Sequence, residues 1–339
     1  MQNSVKLLLL FVIVLLVFTA IILLVTFLTY GEPDACDIYA SSLKYDRNSN
    51  ISDIIISLTT MPLRLQSSDF KKCVSSMLEQ SVRPQQIRIN IPYTLKKSGV
   101  TYEIPDWLPK VSVTIHRCDD MGPATKYLST LADYAGTKQK ILVYDDDGLM
   151  PLNTVKTFQK LTNKYPNTVI SGAGNRLARK FDENGVLMST STNPDKEGAS
   201  FWGKSFWLVN LIESQRLTRI PPNDEIEKVD IIYGNAGYCL RADMVDINIL
   251  SDYTTMPKEA CFVDDLVISG HLASRKVSRA VGKEVQLPRQ TYSGMLQAFR
   301  NQISADAMTE SLSLSVNRDN NNNATMIKYF ASAWGEFPP

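Results

Sequence analysis

The sequence has few of the residues on which disulfide-rich and zinc-binding domains depend. Its 339 residues include five cysteines and two histidines, and no two cysteines have the C-x-x-C spacing of a zinc site. Charge of one sign is not in excess, because the formal net charge is +1. We therefore expect no nucleic-acid partner held by general attraction to phosphates. The sequence also lacks internal repeats and a Walker-type phosphate loop.

What the sequence does have is the composition of a globular protein. Hydrophobic residues make up 44% and charged residues 21%, which indicates a sizeable core. The chain is long enough for one large domain or two ordinary ones. Disordered and collagen-like proteins are excluded by the same figures.

The longest apolar run lies at the amino terminus. Residues 7–28 carry no charge, and Thr19 and Thr26 are the polar residues within them. At about 1.5 Å per residue this run spans roughly 33 Å, enough for the hydrocarbon core of a bilayer. It is longer than the apolar part of a cleaved signal peptide. A buried core helix is the alternative, but no polar face is present. The run predicts a transmembrane signal anchor.

The charges around this run predict its orientation. Lys6 precedes it and acidic residues follow it, and basic charge stays on the cytoplasmic side. We therefore expect a cytoplasmic tail at 1–6 and a stem at 29–50. The remainder would face the lumen of the Golgi or ER, or the exterior if the source is not eukaryotic. The sequence thus predicts a single-pass type II membrane protein.

A lumenal domain can hold disulfides and N-linked glycans. The disulfide that we expect joins Cys239 to Cys261, with Cys36 as a candidate for the odd cysteine. Sequons begin at Asn50 and Asn323, which would make the protein a glycoprotein.

From residue 51 onward, short apolar runs alternate with helical stretches. This alternation predicts an α/β fold with a mainly parallel, doubly wound sheet flanked by helices. In such sheets, ligands bind beyond the carboxyl ends of the strands. The predicted strands are 53–58, 87–91, 111–115, 140–144 and 168–171, and the predicted helices are 68–80 and 153–164, the second with Asn153 as its cap.

Three successive carboxylates, Asp145, Asp146 and Asp147, follow the fourth predicted strand. They repel one another, and no adjacent Lys or Arg offsets their charge. A divalent cation with oxygen ligands would relieve the repulsion, and Mg²⁺ or Mn²⁺ typically uses one or two carboxylates plus substrate phosphates. We predict Asp145 and Asp147 as metal ligands and Asp146 as a donor contact. A solvated acidic turn is the alternative.

Polar residues also follow the first and third predicted strands. Thr59, Thr60 and Arg64 come after the first strand, and Asp119 and Lys126 come after the third. Because parallel strands end on one edge, we expect both loops to line the same crevice as the acids. Lys126 opens a helical stretch where an anion could bind. The alternative is a helix start with a surface lysine.

Several blocks together resemble glycosyltransferases with the GT-A fold. Residues 59–64 follow the first strand, and Tyr-Asp-Asp-Asp-Gly occupies 144–148. Residues 233–241 are similar to the Gly-Ala-Gly-Phe/Tyr segment of Fringe-like β1,3-glycosyltransferases. Residues 262–266 resemble the Glu-Asp pair that follows that segment, with Asp in place of Glu. The first half is also similar to exostosin catalytic domains.

The resemblance covers roughly residues 51–275 and implies a GT-A-type, Rossmann-like fold. A catalytic domain at 51–290 would comprise a nucleotide-sugar-binding half, 51–175, and an acceptor half, 176–290. Residues 291–339 would be a carboxyl-terminal extension. In this family the "DXD" acids hold Mn²⁺ or Mg²⁺ on the donor's diphosphate. The resemblance thus implies a nucleotide sugar, with a UDP-sugar expected, as one partner.

The same resemblance implies roles in the second half. Asp265 would be the general base if transfer inverts configuration, or would orient the acceptor or steady positive charge if it retains configuration. Alternatively, Asp264 or Asp265 caps a helix. A late His in some relatives is a metal ligand, which makes His271 a candidate, whereas a core histidine is the alternative. Acceptor contacts are expected at Asn235, Gly237 and Asp264. Trp202 is a further candidate, because aromatic faces stack on sugar rings, and a strand packed on the sheet is the alternative for its segment.

The resemblance implies a metal-dependent glycosyltransferase of hexosyl or N-acetylhexosaminyl type, acting on a hydroxyl of a glycan or glycoconjugate. One alternative is a non-catalytic, GT-A-like glycan-binding ectodomain. The other is a nucleotidyltransferase or phosphate-ester hydrolase that uses the same metal chemistry, although such enzymes usually hold two metals with more widely separated acids.

Overall fold

The structure, a computed structural model, describes residues 6, 11–20, 37–181, 187–191, 224–291 and 322–334. Residues 11–20 are helical, and their large apolar side chains are exposed. The rest of the predicted span 7–28 lies outside the described residues. Within the part of the chain that is described, no helix is both long and apolar enough to cross a membrane.

The described chain alternates helices and strands as the sequence predicts. The helices are α1 (Ile38–Arg47), α2 (Pro62–Leu65), α3 (Ser68–Leu78), α4 (Thr125–Asp133), α5 (Thr154–Lys164), α6 (Ile247–Leu250), α7 (Asp264–Ser274) and α8 (Asn322–Tyr329). The strands are β1 (Ile54–Thr59), β2 (Gln86–Pro92), β3 (Thr114–Cys118), β4 (Lys140–Val143), β5 (Gly148–Leu149), β6 (Thr168–Ser171), β7 (Gly174–Asn175), β8 (Ala178–Phe181), β9 (Leu187–Ser191), β10 (Ile226–Lys228), β11 (Ile231–Ile232), β12 (Tyr238–Arg241), β13 (Ser278–Gly282) and β14 (Arg289–Gln290).

A large, mostly parallel sheet forms the centre of the fold. Its strand order is β10-β13-β6-β12-β4-β1-β2-β3. Strands β3, β2, β1 and β4 run parallel, as do β6 and β13. Strand β12 is antiparallel to both of its neighbours, and β10 is antiparallel at the edge. A mixed α/β fold with this sheet agrees with the Rossmann-like architecture predicted from the sequence.

Helices cover both faces of the sheet because its strands are apolar on both sides. On β4, Ile141 and Val143 join one core, whereas Leu142 joins the other, together with Tyr144 directly after the strand. The first core includes side chains of α4, α7 and α8. The second includes side chains of α1, α3 and α5.

The predicted helices form, with differences at their ends. The apolar stripe predicted on α3 is buried throughout. Ser67 caps the amino terminus of this helix, because its Oγ accepts the amide of Phe70 at 3.1 Å. Asn153 occupies the cap position of α5 but makes no side-chain cap bond. Its Oδ1 instead accepts the hydroxyl of Ser81 at 2.7 Å.

Three segments differ from the sequence-based prediction. The third strand runs from Thr114 to Cys118 rather than from 111 to 115, and a 3-10 helix at Leu108–Lys110 precedes it. Residues 38–47, expected in an unpatterned stem, form α1, which buries Ile38 and Tyr45 against α3. The predicted disulfide between Cys239 and Cys261 is wrong, because both are free thiols.

The cysteine pair fails for a physical reason. Cys239 is fully buried within β12 in the middle of the sheet, whereas Cys261 is exposed. Cys73 and Cys118 are also free, and Cys36 lies outside the described residues.

The described part of the predicted extension packs on the domain rather than trailing from it. Helix α8 includes Asn323, the residue at which the second sequon begins. The ring of Phe330 lies against Gly270 of α7, where an added Cβ would be 2.2 Å from Cδ2 of Phe330. The indole of Trp334 donates to the carbonyl of Ile327 at 2.9 Å.

His271 lies on the buried side of α7. Its Nε2 accepts the backbone amide of Asp246 at 3.0 Å, so this nitrogen is committed to a structural hydrogen bond. The side chain is 4% exposed. The structure therefore favours the core-histidine interpretation over metal ligation. Burial and then the charge of Arg275 lower the pKa of His271 to about 4.

We expect the free energy of unfolding to fall as pH drops from about 6.5 to about 4. In this range His271 is protonated in the unfolded chain and neutral in the folded protein. The loss at the acid end should approach about 3 kcal/mol, at about 1.4 kcal/mol per pKa unit. His271→Gln keeps an acceptor for Asp246 and should abolish most of this loss in urea denaturation at pH 4.5 and pH 7.

His116→Gln is the matched control, because His116 is more exposed and should leave most of the acid loss in place. An equal acid loss in wild type and His271→Gln would contradict the assignment.

Candidate active site

The acidic turn lies at the carboxyl edge of the sheet, directly after β4. The buried thiol of Cys73 on α3 contacts the end of this turn, with Sγ 3.2 Å from the carbonyl oxygen of Gly148. Within the turn, Asp146 is buried, Asp145 is half-buried and Asp147 is exposed. The turn is therefore fixed at its base and open to solvent at Asp147.

Arg64 on α2 reaches across from the end of β1 to the acidic turn. Its Nη1 lies 2.5 Å from Oδ1 of Asp146 and 3.7 Å from Oδ2 of Asp147. Burial raises the pKa of Asp146 to about 6, while the Arg64 guanidinium acts against this shift. Thr60 is also buried, and its hydroxyl has no hydrogen-bond partner among the described residues. The Arg64 side chain remains 41% exposed, so its guanidinium can also meet a ligand.

Lys126, at the start of α4, brings the two acidic groups of the site together. Its Nζ donates to Oδ1 of Asp145 at 2.8 Å and lies 2.8 Å from Oδ2 of Asp264. Oδ1 of Asp265 lies 4.0 Å away. Burial alone would lower the pKa of Lys126, but these three carboxylates outweigh it and hold the pKa well above its usual range. The ammonium is thus a permanent charge in the protein interior.

A buried polar network fixes the backbone at Lys126. The hydroxyl of Ser57 donates to the carbonyl of Lys126 at 2.6 Å, and Nδ2 of Asn90 lies 3.4 Å from the same oxygen. Thr130, one turn along α4, hydrogen-bonds to both side chains. Sequence reasoning missed this network. The available signal was a polar residue in the middle of each apolar run, Ser57 in β1 and Asn90 in β2.

Asp264 and Asp265 are the first two residues of α7. The residue before the helix is Val263, and no side chain caps this end. Asp264 faces Lys126, and Oδ1 of Asp265 accepts the amide of Gly234 at 3.0 Å. The helix-capping alternative is therefore excluded for both. Burial, followed by the charge of Asp264, raises the pKa of Asp265, and Lys126 opposes the shift.

The segment before β12 brings its backbone close to the acids. Gly237 has φ +75°, and an added Cβ would lie 2.7 Å from Cδ2 of Tyr144, so this position requires glycine. An added Cβ at Gly234 would lie 2.5 Å from Nζ of Lys126. Asn235, between them, is exposed. Tyr238 is fully buried, and its hydroxyl has no hydrogen-bond partner among the described residues.

The structure places the remaining predicted residues as follows. Thr59 donates its hydroxyl to the carbonyl of Asn90 at 2.8 Å. Asp119 is exposed after β3, whereas the next residue, Asp120, is buried and accepts the amides of Lys96 and Gly122. Trp202 lies outside the described residues.

The acidic turn fits a divalent cation held by two carboxylates. Although the side chain of Asp147 is 59% exposed, desolvation by the surrounding protein and the charge of Asp145 raise the pKa of Asp147. A cation between Asp145 and Asp147 would relieve this repulsion, with phosphate oxygens completing its shell. Within the described ranges, no group of three or more His, Cys, Asp or Glu side chains is arranged to hold a metal.

Comparison with known proteins finds likeness in structure and not in sequence. No protein-family model matches the chain, and no curated protein matches it. The chain is similar to a crystal structure of GalNAc-T7 with UDP, GalNAc and Mn²⁺, with 9% sequence identity and a TM-score of 0.41. The match covers 83% of this chain and 54% of that one, so this chain spans about half the length of that protein. A likeness at this level establishes neither a family nor an activity.

Proposed function

We propose that this protein is a glycosyltransferase that moves a sugar from a nucleotide-diphosphate donor to a hydroxyl of a glycan or glycoconjugate. One observation carries the proposal. At the carboxyl edge of a mostly parallel sheet, the acidic turn after β4 meets a second acidic pair, Asp264–Asp265, from a distant part of the chain. One group suits a metal-bound diphosphate, and the other suits proton transfer from a hydroxyl.

The donor would lie across the loops that follow β1 and β4. Asp145 and Asp147 would hold Mn²⁺ or Mg²⁺, which supplies positive charge to a departing diphosphate when it is bound. Thr59, Thr60 and Asp119 would face the nucleoside. Arg64 is better placed than Lys126 to contact phosphate, because Arg64 is 41% exposed whereas Lys126 is 7% exposed and paired with carboxylates. A UDP-sugar of hexosyl or N-acetylhexosaminyl type is the donor that we propose.

Asp265 is the residue that we propose to act on the acceptor. Its side chain is 28% exposed, compared with 12% for Asp264, which is paired with Lys126. Because Oδ1 accepts the Gly234 amide, Oδ2 is the oxygen that would take the proton of an attacking hydroxyl. A carboxylate with a raised pKa is a better base near neutral pH than an ordinary one. If transfer retains configuration, Asp265 orients the acceptor instead.

The acceptor would approach from the side of the Gly234–Gly237 segment. Asn235 is exposed beside the acidic pair, and Asp264 lies at the same edge. We propose contacts from Asn235, the backbone at Gly237 and Trp202 with the acceptor sugar, with the aromatic face of Trp202 stacked on its ring.

The metal assignment predicts a specific loss of activity. Purified full-length protein incubated with Mn²⁺ and a panel of nucleotide sugars should release nucleotide, and a chelator should abolish the release. Asp147→Asn should reduce turnover at least about 10²-fold, because charge stabilisation at a leaving group is worth several kcal/mol. Asp53→Asn, at the opposite edge of the sheet, is the control. Activity that survives both chelation and Asp147→Asn would refute the metal role.

The role of Asp265 makes a second prediction in the same assay. Asp265→Asn should lower kcat by about 10²–10⁴-fold while donor affinity, measured by calorimetry, changes little. The anomeric configuration of the product, determined by NMR, decides between the two roles, since retention removes the general base. Near-normal turnover of Asp265→Asn would remove this residue from the site. Sugar binding without transfer by the wild-type protein would instead indicate a glycan-binding ectodomain.

We also propose that residues 7–28 anchor the protein with residues 31–339 in the Golgi or ER lumen. The run of apolar residues with Lys6 before it supports this orientation. In sealed microsomes the folded domain should be protected from added protease until detergent is present. Digestion without detergent would show the opposite orientation.

A further inference from the structure

The positive charge at the centre of the site is the ammonium group of Lys126. The Lys126 ammonium lies between Asp145, from the turn after β4, and Asp264, from the start of α7. These residues are far apart in the sequence, and within the described structure the ammonium contacts both of them. The proposed reaction assigns no role to this ammonium, because it is paired with carboxylates and shielded from solvent.

We propose that Lys126 is a resident cation of the site and a positioning residue. By pairing with Asp145 and Asp264 it holds the two acidic groups together in the free protein, before a donor or divalent cation binds. It also occupies the space between them, so that a divalent cation is directed to the Asp147 side of the turn.

The charge balance around the ammonium supports this role. Three carboxylates, those of Asp145, Asp264 and Asp265, lie within 4.0 Å of Nζ. Without the ammonium, three carboxylates from two segments would face one another in a poorly solvated space. These unpaired carboxylates would either destabilise the folded protein or bind a divalent cation, because carboxylate oxygens are ligands for Mn²⁺ and Mg²⁺.

The residues around Lys126 fix its backbone and leave space for its side chain. The Ser57 and Asn90 side chains hold its backbone carbonyl, so the side chain starts from a fixed point. Gly234 leaves room for the end of the side chain, because a Cβ there would lie 2.5 Å from Nζ and 3.3 Å from Oδ1 of Asp145. The ammonium therefore has one defined location.

Mn²⁺ binding to the full-length protein in detergent, without any nucleotide, tests this inference. Chelator-treated protein is titrated with Mn²⁺, and the free ion is measured by its electron paramagnetic resonance signal. Lys126→Met should bind Mn²⁺ at least about tenfold more tightly than wild type, because three carboxylates are released to ligate it. Lys126→Arg, which keeps the positive charge, should not gain affinity.

Lys140→Met is the matched control. Lys140 is also buried, but its ammonium pairs with one carboxylate, that of exposed Asp53, and with the side-chain oxygen of Asn163. Its removal should not increase Mn²⁺ affinity. Unchanged affinity in folded Lys126→Met, or an equal gain in Lys140→Met, would overturn the proposal.

If Lys126→Met does not fold, the double variant Lys126→Met/Asp264→Asn decides, because it removes one negative charge together with the ammonium. A folded double variant supports the charge-balancing role, and an unfolded one overturns it. The positioning of catalytic groups rests on the proposed glycosyl transfer, but Mn²⁺ binding requires no substrate. A failure of the transfer assay and a failure of this inference are therefore distinguishable.

Discussion

A single buried ion cluster, the Lys126 ammonium among three carboxylates, is the constraint on which the site depends. Moving a lone charge into the protein interior costs several kcal/mol, and its partners repay this cost only when their geometry is good. The necessary geometry comes from four places at once: strands β1 and β2 through Ser57 and Asn90, the start of α4, and the turn after β4. The start of α7 supplies the remaining carboxylates.

The antiparallel direction of β12 explains how the second acidic group reaches the site. Tyr238, its first residue, pairs with Val143 at the end of β4, so β12 begins at the edge where the parallel strands end. The glycine-containing segment before it therefore lies at that edge and offers the Gly234 amide to Asp265. Helix α7 leads into β13, which is parallel to β6 and therefore starts at the opposite edge of the sheet. The amino terminus of α7 accordingly lies at the edge where the parallel strands end.

Local patterns in the sequence predicted local structure well. The apolar spacing on α3 and the run before Asp145 each depend on neighbouring residues, and both are present as expected. Features that depend on distant partners were not predictable. The insertion of β12 beside β4, the packing of α1 on α3, and the pairing of Lys126 with Asp264 all require knowledge of the tertiary fold. The cysteine pairing failed for the same reason, since spacing along the chain does not show that Cys239 points into a core.

The position of β12 in the sequence also affects when the sheet can form during synthesis of the chain. Strands β4 and β6 become neighbours of a common strand only when Tyr238 has been synthesised, 67 residues after Ser171 at the end of β6. At about 5–20 residues per second, a nascent chain on the ribosome spends roughly 3–13 s with both edges unpaired. Unpaired strand edges are where chains aggregate or pair wrongly. The strand that brings the Gly234–Gly237 segment to the carboxyl edge of the sheet therefore also closes the gap between β4 and β6.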